Sequence, residues 1–175
     1  MRALVEGQTL QGWLLADLSA CADLLAREPR VDPARLAILG QSYGGQEAVF
    51  AMLFDERFRA GFSSCGFSLV RLLVERSISH NLAMYLPGML PGRDLDALVP
   101  LIAPRPLYVL AGRQDPIHPV EGVEAVEARA RAAWEAAGAA DRLVFRYFDG
   151  GHDLPAAELS LALEWLRGAL ARPGA

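Results

Sequence analysis

The hexapeptide Gly40-Gln41-Ser42-Tyr43-Gly44-Gly45 follows the apolar run Arg35-Leu36-Ala37-Ile38-Leu39 and opens a stretch with helical character. A G-x-S-x-G pattern between a strand and a helix is a nucleophile elbow. A serine hydroxyl attacks poorly until a base takes its proton and amide donors receive the developing oxyanion. A sharp strand-to-helix turn meets both needs. It lifts the Ser42 hydroxyl out of the sheet and aims the first free helical N–H groups, that of Tyr43 foremost, at the reacting carbonyl. Glycines on both sides are expected where side chains would collide with the neighbouring strand and helix. The alternative is a Gly-rich turn that only packs.

A nucleophile of this kind needs a histidine and an acid, and the chain has three histidines, His80, His118 and His152. Pro106-Leu107-Tyr108-Val109-Leu110-Ala111-Gly112 reads as a buried strand, followed by Arg113-Gln114-Asp115-Pro116. Leu143-Val144-Phe145-Arg146-Tyr147-Phe148 reads as another, ending in Asp149-Gly150-Gly151-His152-Asp153. In a parallel sheet the loops after strand C-termini share one rim, so Ser42, Asp115 and His152 are expected to converge. Ser42 would attack an acyl carbon, His152 would take and return the proton, and Asp115 would orient the imidazole and stabilise the imidazolium. Asp115 also suits an ordinary Asp-Pro turn. Asp149 and Asp153 are the fallback acids and His118 the fallback base. His80, beside Asn81, is expected to line or support a pocket.

The elements that must position these residues alternate between helix and strand, which predicts a three-layer α/β/α sandwich with a mostly parallel sheet. A helix is expected over Leu10–Arg27 with Leu10, Leu14, Leu18 and Leu25 on its buried face. The elbow helix should run over Gly45–Phe54 and the next strand over Ala60–Cys65. A helix over Val120–Ala137 should pack Val123, Val126, Ala130 and Trp134 on the sheet. A last helix from Pro155 should pack Leu159, Leu163, Leu166 and Leu170. Residues 1–175 read as one domain. About residues 66–104 the pattern breaks into a loop-rich, cap-like insertion with Met84, Tyr85, Met89, Pro87-Gly88 and Pro91-Gly92. It would either wall a pocket or simply join the core.

Composition narrows the function. The 175 residues are 53% hydrophobic, enough for a packed core. A net charge of −4 with interspersed signs offers no basic footprint for nucleic acid. No apolar run approaches a membrane span, and the first residues lack the apolar core of a signal peptide. Cys21 and Cys65 have no metal-ligand spacing and read as buried free thiols, so a cytoplasmic protein is expected.

On these residues the chain resembles the α/β-hydrolase superfamily, within it the esterase, dienelactone-hydrolase and acetyl-xylan-esterase-like members. The likeness rests on the elbow, Val31-Asp32-Pro33-Ala34-Arg35 before it, and Phe54-Asp55-Glu56-Arg57-Phe58 after its helix. It also rests on Ile102-Ala103-Pro104-Arg105-Pro106, Asp115-Pro116 and Gly151-His152. The order Ser42, Asp115, His152 is that of the family. The resemblance implies hydrolysis of a small-molecule carboxylic ester through an acyl-Ser42 intermediate, with no metal or organic cofactor. A prolyl-oligopeptidase-type serine peptidase and a catalytically silent hydrolase-like domain are the alternatives. The departure lies ahead of Arg35, where family strands are missing and the sequence reads as mainly helical. Those strands would supply a second oxyanion donor. The expectation is then a C-terminal portion of the fold with an apolar strand at the sheet edge, covered by an N-terminal segment or by another chain in a homo-oligomer, or else a reduced, weakly active relative.

Overall fold

A computed structural model describes residues 2–90 and 92–171; Pro91, part of one expected Pro-Gly turn, lies outside them. A short helix α1 (Arg2–Val5) precedes α2 (Leu10–Arg27), which Thr9 caps by accepting from Gly12 N at 2.9 Å. Strand β1 (Leu36–Gln41) leads through the elbow into α3 (Tyr43–Phe54), and β2 (Phe58–Ser64) follows. The segment after β2 holds α4 (Val70–Glu75), α5 (Leu95–Leu98) and a 3₁₀ turn over Val99–Ile102. Then come β3 (Leu107–Gly112), α6 (Val120–Ala136), β4 (Leu143–Phe148) and α7 (Ala156–Ala171).

The four strands form one parallel sheet in the order β1-β2-β3-β4. Ile38 sits beside Gly61, Gly61 beside Leu107, and Leu107 beside Leu143, so the strands end on a common rim. The two-residue period of a strand sorts the side chains into two cores. Leu107, Val109, Ala111 and Leu143 face a large cluster with α3, α6 and the segment between β2 and β3. Tyr108 and Leu110 face a smaller one with Ala162 and Leu166 of α7. Helices thus cover both faces, as a parallel sheet requires. Met84 and Met89 of the expected insertion are buried in the larger core.

Helix α6 buries the stripe read from its periodicity, Val123, Val126, Ala130 and Trp134. Two other helices differ from expectation. Helix α2 buries Gln11 and Ala22, with Leu15 and Leu18 half-buried, while Leu25 is exposed. The cause is its partner: α3 buries Gln46 and Glu47, which need hydrogen bonds more than apolar cover. Gln11 supplies them, donating to Glu47 Oε2 at 2.7 Å and accepting from Gln46 Nε2 at 2.9 Å. Cys21, adjacent to Ala22, therefore faces solvent and is not a buried thiol. In α7 the packed face runs through Leu159, Ala162, Leu166 and Leu170, whereas Leu163 is exposed.

Strand β1 pairs with β2 alone among the described residues and stands at the sheet edge, with Leu39 52% exposed. No described helix is long and apolar enough to cross a membrane.

Candidate active site

Ser42 occupies the turn between β1 and α3 at φ 57°, ψ −122°, a region that non-glycine residues rarely adopt. Such a conformation costs about 1–3 kcal/mol and persists only where the surroundings fix it. Ser42 N donates to Ser64 O at 2.8 Å, and Ser42 O accepts from Gln46 N at 3.0 Å. A Cβ on Gly40 would overlap the backbone of Gly44, so the turn closes only with glycine there. Gly45 likewise approaches Gly66, whereas Gly44 has open space and is not sterically required.

The rim brings the three expected residues together. His152 Nε2 lies 2.6 Å from Ser42 Oγ, and His152 Nδ1 lies 2.8 Å from Asp115 Oδ2. Asp115 Oδ1 accepts from the backbone N–H of Ile117 at 2.9 Å and of His118 at 3.0 Å. Burial alone would raise the Asp115 carboxyl. The His118 and His152 side chains and the two backbone donors outweigh it and hold the carboxyl well below the usual carboxylate range. An ionised Asp115 accepts Nδ1–H, which leaves the Nε2 lone pair of a neutral His152 toward Ser42. The histidine and acid loops are tied directly: Gln114 N donates to Gly150 O at 2.8 Å and Arg113 N to Phe148 O at 3.0 Å. Gly112 and Gly151 meet so closely that a Cβ on Gly112 would overlap Gly151 O.

The fallback acids lie elsewhere. Asp149 is exposed, 3.9 Å from Arg113 Nε, and Asp153 is exposed and accepts from Leu154 N at 2.7 Å. Tyr43 begins α3, so its N–H has no acceptor within the helix.

Known proteins share this arrangement of chain. The model of the prolyl oligopeptidase family matches residues 7–86. YtaP of Bacillus subtilis, named as a hydrolase, is 28% identical over 140 residues, covering 79% of this chain and 47% of that protein. A glucuronoyl esterase from Teredinibacter turnerae superposes with a TM-score of 0.69 at 26% identity, covering 90% of this chain and 46% of the esterase. The chain has the α/β-hydrolase fold. A puromycin-hydrolysing peptidase of Mycobacterium tuberculosis gives a TM-score of 0.69 at 25% identity, covering 90% of this chain and 25% of the peptidase. The chain thus spans about half or less of the length of these relatives.

On this hydrolase fold a second layer of polar groups backs the rim, made of His118, the expected fallback base, and His80, expected to line or support a pocket. His118 is only 2% exposed, and neither ring nitrogen has a hydrogen-bond partner. Its Nδ1 is 3.6 Å from Asp115 Oδ2, beyond hydrogen-bond range, and its ring stacks 5.4 Å from that of His152. The His80 ring lies 4.6 Å from His118 on the other side. Burial first, then repulsion from His118 and His152, pushes His80 down to about 4. His80 is therefore neutral near pH 7, and Nδ1 receives Asn81 Nδ2 at 2.9 Å. Asn81 Nδ2 also donates to Gln46 Oε1 at 2.9 Å, so a polar chain runs from α2 through α3 to the imidazoles. Cys65, buried as expected, lies at the rim with its Sγ 3.5 Å from Asp153 O, a neighbourhood the sequence did not announce. Its only sequence signal was its place directly after β2.

Proposed function

We propose that this chain is the catalytic portion of a serine hydrolase that cleaves a small carboxylic ester through an acyl-Ser42 intermediate. The observation that carries the reading is the unbroken line from Ser42 Oγ through His152 to Asp115, at 2.6 and 2.8 Å. In the first step Ser42 Oγ bonds to the acyl carbon while its proton passes to His152 Nε2. The oxyanion forms beside Tyr43 N–H, and Asp115 stabilises the imidazolium. The imidazolium then protonates the departing alcohol, the C–O bond breaks, and the acyl group stays on Ser42. Water repeats the sequence, with His152 as base, and releases the acid.

A peptidase reading is favoured by one observation, the match of residues 7–86 to the prolyl oligopeptidase family. Both readings use the same nucleophile and differ in the leaving group. Loss of one oxyanion donor typically costs about 10²–10³ in turnover. With Tyr43 N–H as the donor supplied by the elbow, slow turnover is expected of these residues alone.

The test is fluorophosphonate labelling of the folded chain, with the modified peptide located by mass spectrometry. Labelling at Ser42, lost in Ser42→Ala and His152→Ala, is expected. A folded chain that takes no label, or takes it equally after His152→Ala, would overturn the assignment. Matched chromogenic ester and peptidyl-amide substrates then separate esterase from peptidase.

A further inference from the structure

Cys65 is a metal-ligating group beside the rim that the hydrolytic reading leaves unused. It follows β2 directly, at φ 44°, and its thiol turns under the His152 loop, 3.5 Å from Asp153 O and 4.0 Å from Gly151 O. Its Sγ, an Asp115 carboxylate oxygen and a His152 ring nitrogen all lie within 4.8 Å of one another. These donors come from three different loops, so no motif in the sequence announces them.

We propose that Cys65, Asp115 and His152 form an inhibitory site for a thiophilic divalent cation, zinc by its chemistry. Thiolate, imidazole and carboxylate are zinc's usual ligands, at about 2.3 Å for sulfur and about 2.0–2.2 Å for nitrogen and oxygen. Tetrahedral angles then place ligand atoms about 3.2–3.8 Å apart. The sulfur must close on its partners, and the Asp115–His152 pair must open slightly from 2.8 Å. A thiolate and a carboxylate cancel the charge of the ion, which suits a buried cluster.

Binding balances with one proton released. The Cys65 S–H bond breaks, its proton goes to solvent, and sulfur bonds the metal. His152 Nδ1 gives up its proton and bonds the metal, and the ring stays neutral by taking a proton on Nε2. That tautomer turns an N–H toward Ser42 Oγ, where a lone pair is needed, so the base is lost. The inhibition rests on the hydrolytic reading above, while the binding does not.

Cadmium serves as the optical probe, because a bound thiolate gives an ultraviolet charge-transfer band. Titration of the folded chain should raise this band to one equivalent, and zinc should displace it. The band should persist in Cys21→Ser, whose thiol is exposed, and vanish in Cys65→Ser. Zinc should suppress fluorophosphonate labelling of Ser42 in the unmodified chain, and a chelator should restore it. In Cys65→Ser, half-suppression should need about tenfold more zinc or beyond. A band that survives Cys65→Ser, or one lost in Cys21→Ser, would overturn the site. Equal zinc sensitivity with and without Cys65 would overturn the inhibition. A Cys65-dependent band on a chain that never labels would uphold the metal site and count against the hydrolase alone.

Discussion

Asp115→Asn tests the chemistry of the line more sharply than any deletion, because the structure dictates how the amide must sit. Oδ1 accepts two backbone N–H groups, at 2.9 and 3.0 Å, so the amide oxygen takes that position. The NH₂ group then replaces Oδ2, 2.8 Å from His152 Nδ1. A donor facing Nδ1 fixes the ring proton on Nε2, 2.6 Å from Ser42 Oγ, and the base disappears while the packing is kept. The imidazolium also loses its counter-charge, worth about 4 kcal/mol for a pair at about 4 Å and an effective dielectric of about 20. The tautomer and charge effects act on the same imidazolium and do not add. The expected loss is about 10⁴-fold, or about 5.4 kcal/mol in activation free energy. The assay is the second-order rate of fluorophosphonate labelling at Ser42, with circular dichroism to show that the variant is folded. Asp149→Asn and Asp153→Asn, at exposed carboxylates, should stay within about twofold. A folded Asp115→Asn that labels within tenfold of the unmodified chain would refute the assignment of the acid.

Two further outcomes follow from the packing. Gly112→Ala drives a Cβ into Gly151 O and must shift the His152 loop, so labelling should fall about 10²-fold for a displacement near 1 Å. The unfolding free energy of that variant, read by circular dichroism in denaturant, should fall as for an overpacked site, by about 1–3 kcal/mol. Burial raises the Glu47 carboxyl above its ordinary 4.5, with the Gln11 hydrogen bond opposing only in part. Its contribution to stability is therefore full below the unfolded value and is lost as pH rises through the folded one. Glu47→Gln should remove that loss, so its melting temperature should gain on the unmodified chain as pH rises from the ordinary 4.5 towards neutral. A constant difference across that range would refute the buried-carboxyl account.

Much of this was legible because the signals were local. The four strands were apolar runs bounded by turn residues, and in a parallel sheet each one's C-terminus marks the same rim. That logic placed Ser42, Asp115 and His152 without any knowledge of side-chain contact. The α6 stripe was legible for the same reason, since an apolar sheet face selects apolar helix positions. Helix α2 misled because its partner is polar. Gln46 and Glu47 are buried on α3, and their need for hydrogen bonds brought Gln11 inward, which turned Leu25 and Cys21 to solvent. Burial of a polar pair is a property of tertiary contact that hydrophobic period cannot report. The approach of Cys65 to the rim was hidden similarly, because a residue at the end of a strand gives no periodic sign of what it will meet.

The geometry of the rim is built from one side of the sheet. Ser42 is anchored to Ser64 at the end of β2, Asp115 follows β3, and His152 follows β4. The acid and histidine loops are tied by Gln114 N to Gly150 O and by the meeting of Gly112 with Gly151. Each of these constraints lies on the side of β1 that is paired, and none involves its free edge. Assembly of the three side chains therefore needs nothing docked against β1, whereas stabilisation of the oxyanion is free to depend on it. That separation assigns different meanings to two rates. Ser42 labelling that depends on His152 reports the rim, and the gap between labelling and ester turnover reports how much oxyanion stabilisation the elbow supplies by itself.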